Sequence, residues 1–219
     1  MSPRHRPIVL LVLAAVALPA VARGGEETVR ELTGNLSATG AERVSVEAPV
    51  GEFRIEGVAT STISAAIDVR CRRPVEAASR RKAEAIELVT GHRGELATVA
   101  VRGWPKHGND GLSLRLRVTM PRDLAVEGEF GVGELVVVGL EAGARLELGV
   151  GEIEVEVPAD SVRRASLEVG VGEASLVVGG RRIEGKGFIG RQVDWANGRG
   201  RHLVDAECGV GEIEVRLTD

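Results

Sequence analysis

Tyrosine is absent from this 219-residue chain, and three phenylalanines and two tryptophans make up its whole aromatic content. A core built on aromatic plugs is thereby excluded. Cysteine is nearly missing too, since Cys71 and Cys208 allow one bridge at most. Basic charge is not in excess: 28 lysines and arginines face 32 acids for a formal net charge of −4, which argues against nucleic acid as a partner. Beyond the first 22 residues no apolar run is long enough to cross a membrane as a helix. What the chain does have is 29 glycines, roughly twice the usual share of ~7%. With 43% hydrophobic and 27% charged residues it can bury a sizeable interior and should fold.

The start of the chain reads as an address. A short basic stretch (Arg4, His5, Arg6) precedes an apolar run from Ile8 to Leu18 and the small-residue pattern Ala20, Val21, Ala22. This is the form of a secretory signal cleaved after Ala22, with an uncleaved anchor as the alternative. The expected localisation is extracytoplasmic: periplasm, outer surface or secreted. Residues 23–41, polar and weakly patterned, read as a leader, and residues 42–219 as one domain of repeated strands.

The main signal is the unit Gly-Val-Gly-Glu at residues 131–134, 149–152, 170–173 and 209–212, with Pro-Val-Gly-Glu at 49–52. Alternating stretches flank every copy, and their phase slips by one residue across it. Before one corner Leu146, Leu148 and Val150 share a parity, and after it Ile153, Val155 and Val157 share the other. Such a slip turns the apolar set outward unless the chain bends or bulges at the glycines. The reading is that the corner keeps both sets inside. Intervals between the second glycines, with a degenerate corner at Gly190, give a period of 39 residues in two unequal halves. The expected fold is all-β: a β-solenoid or β-helix-like array of coils of about 20 residues with glycine corners, or else a 39-residue turn carrying two corners. One inserted or capping helix is expected near 75–89, where alanines, Ile86 and Leu88 lie among charges after Pro74. Strands are expected around Ile63–Cys71, Leu96–Ala100 and Leu112–Val118, and a loop at 104–111.

With its signal segment, the phrase Leu116-Arg117-Val118-Thr119-Met120-Pro121 and the Gly-Val-Gly-Glu units that follow, the chain resembles the adhesin-like beta-strand-repeat family of bacterial envelope proteins. The resemblance covers about residues 42–219. It implies a β-solenoid or closely related all-β fold outside the cytoplasm, and no established activity.

Candidate chemistry is sparse. Glu134, Glu152, Glu173 and Glu212 follow the corner glycines, and stacked about 5 Å apart they would repel unless a divalent cation such as calcium intervened. The unit lacks the Gly-Gly-x-Gly-x-Asp signature of calcium-binding repeats. Paired acids also raise a polysaccharide-acting enzyme on a β-helix, but these acids are periodic, whereas a catalytic pair should break the repeat. Gly185, Gly187 and Gly190 spell a dinucleotide fingerprint with no helix to follow it. The residues favoured for contact are Trp104 and Lys106 in the loop, with Arg72 and Arg73 of the nearby basic region. Residues 70–119 hold 11 basic and 5 acidic side chains, against 4 and 12 in residues 121–179. The functional expectation is a non-enzymatic, adhesin-like binding or structural module of the bacterial envelope. Its partner would be a surface polysaccharide or protein, and no cofactor other than calcium is envisaged. Self-association through a terminal coil ending in Val215 and Leu217 is a further expectation. The alternatives are the enzyme and a periplasmic partner of a signalling or assembly system.

Overall fold

The apolar alternation resolves into twelve strands and one helix in the computed structural model, which describes residues 25–108, 111–187, 189–196 and 199–218. The expected signal segment at residues 1–22, and Asn109 and Asp110 of the expected loop, lie outside the described residues. In chain order the elements are β1 (Glu26–Ser37), β2 (Arg43–Val58), β3 (Thr62–Arg72), α1 (Ala77–Glu84), β4 (Glu87–Arg93), β5 (Leu96–Arg102) and β6 (Leu112–Pro121). They continue with β7 (Ala125–Val138), β8 (Ala144–Pro158), β9 (Val162–Val178), β10 (Arg181–Glu184), β11 (Ile189–Trp195) and β12 (His202–Thr218).

Five long strands form the centre, in the order β2-β7-β8-β12-β9, all parallel and in register. Each carries one glycine corner, and each is folded in two there. Fully extended, the 14 residues of β7 would span about 45 Å, yet residues 139–143, with a reach of about 20 Å, connect its end to the start of the parallel neighbour β8. The strand must double back. At β2 the two arms separate: β5 pairs with residues 43–47, while β6 pairs with residues 52–58. At β9 the outer edge is covered by β11 on the first arm and β10 on the second, both antiparallel. The arms face each other over one hydrophobic cluster that takes in Leu146 and Leu148 before the corner and Ile153 and Val155 after it. Phe53 and Phe130 meet across the corner with ring centroids 4.6 Å apart. Beyond β6 the second arm continues antiparallel through β3 to β1, and β4 pairs antiparallel with β5. His92 Nε2 lies 2.7 Å from the Ser37 carbonyl oxygen, tying β4 to β1.

The fold is all-β, but the sheet is open and its strands do not stack in chain order. β12, last in sequence, fills the slot between β8 and β9. The 39-residue interval between the last two glycine corners is taken up by the antiparallel excursion through β10 and β11. The expected array of successive 20-residue coils is therefore not what these strands make. Gly190 lies in β11, away from the glycine stack, and nothing stands within 4 Å of where its Cβ would be. Three further expectations are corrected. Residues 26–37, read as a leader, form β1 along β3. The helix ends at Glu84 rather than extending to 89, because the next residues are drawn into the β4–β5 hairpin, with Ile86 fully buried. The C-terminal strand, read as an open edge suited to self-association, is paired along both sides.

Candidate functional site

Every corner obeys the same steric rule. The second glycines, Gly51, Gly133, Gly151, Gly172 and Gly211, have φ between 138° and 152°. A Cβ on Gly133, Gly151, Gly172 or Gly211 would stand 1.7–1.8 Å from the carbonyl oxygen of the corresponding glycine on the neighbouring strand. The first glycines are crowded in the same way, a Cβ on Gly149 falling 2.6 Å from the Gly131 oxygen. Apart from Pro49, side chains are thus excluded along two rows with the valine row between them, and the five corners stack backbone on backbone.

The valine between the glycines was expected inside. Val132, Val150, Val171 and Val210 are instead 44–50% exposed. The ladder skips Gly131, Gly149 and Gly209, so the bulge comes at the first glycine and the valine has already turned outward. Cys208, just before its corner, does point inward. Burial raises its pKa, partly offset by backbone hydrogen bonds with Gly151 and Val210. Its thiol donates to the Gly151 oxygen at 3.6 Å. Cys71 is likewise buried, on β3, and four strands lie between β3 and β12. At ~4.8 Å per strand that puts the two sulfurs far beyond bridging reach.

Parallel register turns each corner residue into a row across the sheet. One row is Glu52, Glu134, Glu152, Glu212 and Glu173, and it includes the four glutamates picked out in the sequence. A second row, unforeseen, lies on the other side of the corner: Glu47, Glu129, Glu147, Glu207 and Glu168. It could have been found by reading the position five residues before each corner glutamate. Three of the four row ends are neutralised, Glu168 being the exception. Glu52 accepts a hydrogen bond of 2.6 Å from Arg115 Nε, Arg191 lies 3.6 Å from Glu173, and Arg102 lies 2.6 Å from Glu47. The middle members Glu134, Glu152 and Glu212, and Glu129, Glu147 and Glu207, have no ion pair among the described residues. Two positions further from the corner the pattern is different, since Glu127, Arg145 and Asp205 form a row of mixed sign.

The first glycine row lies in the floor of a trough across the strands. The trough has a volume of about 700 Å³. The second glutamate row lines it, together with Pro49, Gly131, Gly149, Gly170 and Gly209, and Val101 and Arg102 close one end. No three acids, histidines or cysteines among the described residues converge as a metal site would require.

The other sequence candidates sit elsewhere. Trp104 is partly buried against the core. Its loop is held down by Lys82 Nζ, which donates to the Gly108 oxygen at 2.7 Å, and the Arg72 backbone N–H donates to the Gly111 oxygen at 2.9 Å. Arg73 pairs with Glu27 at 3.4 Å, while Lys106 is exposed. The structure thus brings Arg72 beside the loop that carries Trp104 and Lys106. Among the described residues no helix is long and apolar enough to cross a membrane.

No protein-family model and no curated protein matches the chain. Among solved structures it is similar to a candidate cell adhesion protein from Clostridium sporogenes, at 16% identity and a TM-score of 0.56, covering 86% of this chain and 99% of that one. Weaker likenesses are to a candidate adhesin from Parabacteroides merdae, at 10% identity, TM-score 0.27 and coverage of 85% and 81%, and to a candidate lipid-binding protein from Parabacteroides distasonis, at 9%, 0.27, 86% and 97%. The first of these likenesses is one of fold.

Proposed function

We propose that the chain is a non-enzymatic, extracytoplasmic binding module of adhesin type that engages an envelope or surface component through the outer face of its corners. The observation that carries this reading is the trough, which presents a glutamate at each of five rungs and a glycine at four of them, Pro49 taking the fifth. A repetitive face suits a repetitive or extended partner, because affinity accumulates over equivalent contacts without any single deep pocket. The acids beside it are periodic. A glycosidase pair needs two carboxyls in different environments, so that one holds a proton and the other does not. The shared fold with a candidate cell adhesion protein agrees with this reading. The secretory form of residues 1–22 agrees with a place outside the cytoplasm. The basic area at Arg72, Arg73, Trp104 and Lys106 is a second contact region of opposite sign.

The test is a pull-down titration of the purified protein against intact bacterial cells, isolated wall polysaccharide and membrane fractions, with calcium and with chelator. Saturable binding to one fraction is expected. A calcium requirement would assign a cation to the row of Glu134, Glu152, Glu173 and Glu212. Binding to none of the fractions would end the adhesin reading.

A further inference from the structure

The trough differs from the rest of the surface in three ways. Its floor is the first glycine row, Gly131, Gly149, Gly209 and Gly170, where a Cβ would stand 2.2–2.6 Å from a backbone oxygen of the neighbouring strand. Directly beside it runs a row of half-exposed valines, Val132, Val150, Val210 and Val171. One wall is made of carboxylates of a single sign, while the row next outward on the same arm mixes Glu127, Arg145 and Asp205, with Arg145 3.6 Å from Asp205 and Arg43 3.5 Å from Glu127. A glycine-floored channel with a carboxylate wall fits a chain whose backbone or aliphatic stems lie on the glycines while cationic heads reach the carboxylates.

We infer that the trough docks an extended basic polypeptide, a lysine- or arginine-bearing segment lying across strands β7, β8 and β12. The inference rests on the binding-module reading and names its partner class. The geometry limits the footprint. Arg102 already neutralises Glu47 at one end, so the charges left for a partner are those of Glu129, Glu147 and Glu207, with Glu168 at the far end. These rungs repeat every ~4.8 Å. A polyproline II segment rises 3.1 Å per residue with three residues per turn, so a cation at every third position recurs about every 9.3 Å, close to two rungs. Nucleic acid is excluded by like charge. Carbohydrate is disfavoured because sugar rings stack on exposed aromatics, and the one aromatic residue lining the trough, Phe130, is buried.

The experiment uses the full chain and a fluorescent fifteen-residue peptide with lysine at every third position and proline between, read by anisotropy at low and at physiological salt. Two triple variants carry equal charge changes: Glu129→Gln, Glu147→Gln, Glu207→Gln in the trough, and Glu134→Gln, Glu152→Gln, Glu212→Gln outside it. Expected is saturable binding that weakens with salt, at least tenfold weaker for the trough variant and within twofold of the parent for the other. Equal losses in both would mean general charge attraction and overturn the site, as would unchanged binding in the trough variant or no binding at low salt. A glucosamine oligomer that binds the trough where the peptide does not would overturn the polypeptide assignment. Thermal melts of both variants establish that they are folded. If the trough variant still binds cell fractions as the parent does, the module reading stands and only this partner class falls.

Discussion

A single methyl group decides whether a corner can form. Gly151 combines φ of +138° with a neighbouring carbonyl oxygen 1.8 Å from the position of a Cβ. The Gly151→Ala variant therefore meets both backbone strain and a backbone collision that no rotamer can relieve. Urea titration should show a loss of about 3 kcal/mol or more, against about 1 kcal/mol for Gly40→Ala, where φ is +80° and nothing stands within 4 Å. A similar small cost at both positions would mean that the stacking distance is not what fixes glycine here. The sequence shows these glycines plainly, since they recur with the phase slip they cause. It does not show which residue takes up the slip. Three positions between Leu148 and Glu152 could each do so, and placing the bulge at Gly149 instead of Gly151 is what moves Val150 from the core to the surface.

For whole strands, the decisive fact is register. It stacks like on like, which serves the core, where Ile153 lies beside Ile213, and penalises the surface, where Glu152 lies between Glu134 and Glu212. Neighbouring carboxylates at this spacing repel by on the order of 1 kcal/mol per pair in water. Glu152→Gln should raise the melting temperature by about 2–4 °C at low salt, and the gain should disappear at 1 M salt. Glu173→Gln should bring less, because Arg191 stands beside that carboxylate. Calorimetry showing no salt-dependent difference between these variants would remove the repulsion. Alternation made β3, β5, β6 and the five long strands legible, because it depends only on each strand having one wet and one dry face. The residues after α1 were misread because Ala83 and Ile86 keep a helical spacing of three, while Leu88 follows Ile86 at a strand's spacing of two and pairs with β5.

At the scale of the molecule, the identical corners that reveal the repeat conceal its order. Any Gly-Val-Gly-Glu rung can stack on any other, so no local feature says that β12 belongs between β8 and β9. Its buried residues Val204, Ile213, Val215 and Leu217 contribute on the order of 8 kcal/mol at ~2 kcal/mol each, comparable to the whole stability of a typical domain. A chain ending at Arg201 should show no cooperative melt, and a synthetic peptide of residues 202–219 added in trans should restore one. A cooperative melt from the shortened chain alone, at the parent temperature, would show that β8 and β9 close up without it. The position of β12 also sets a timetable. Among the five long strands, β2, β7 and β8 follow one another both in sequence and in space, but β8 and β9 are joined only through β12, which comes from further along the chain. Until β12 is in place two facing edges stay open, so this half of the sheet cannot be built rung by rung in sequence order.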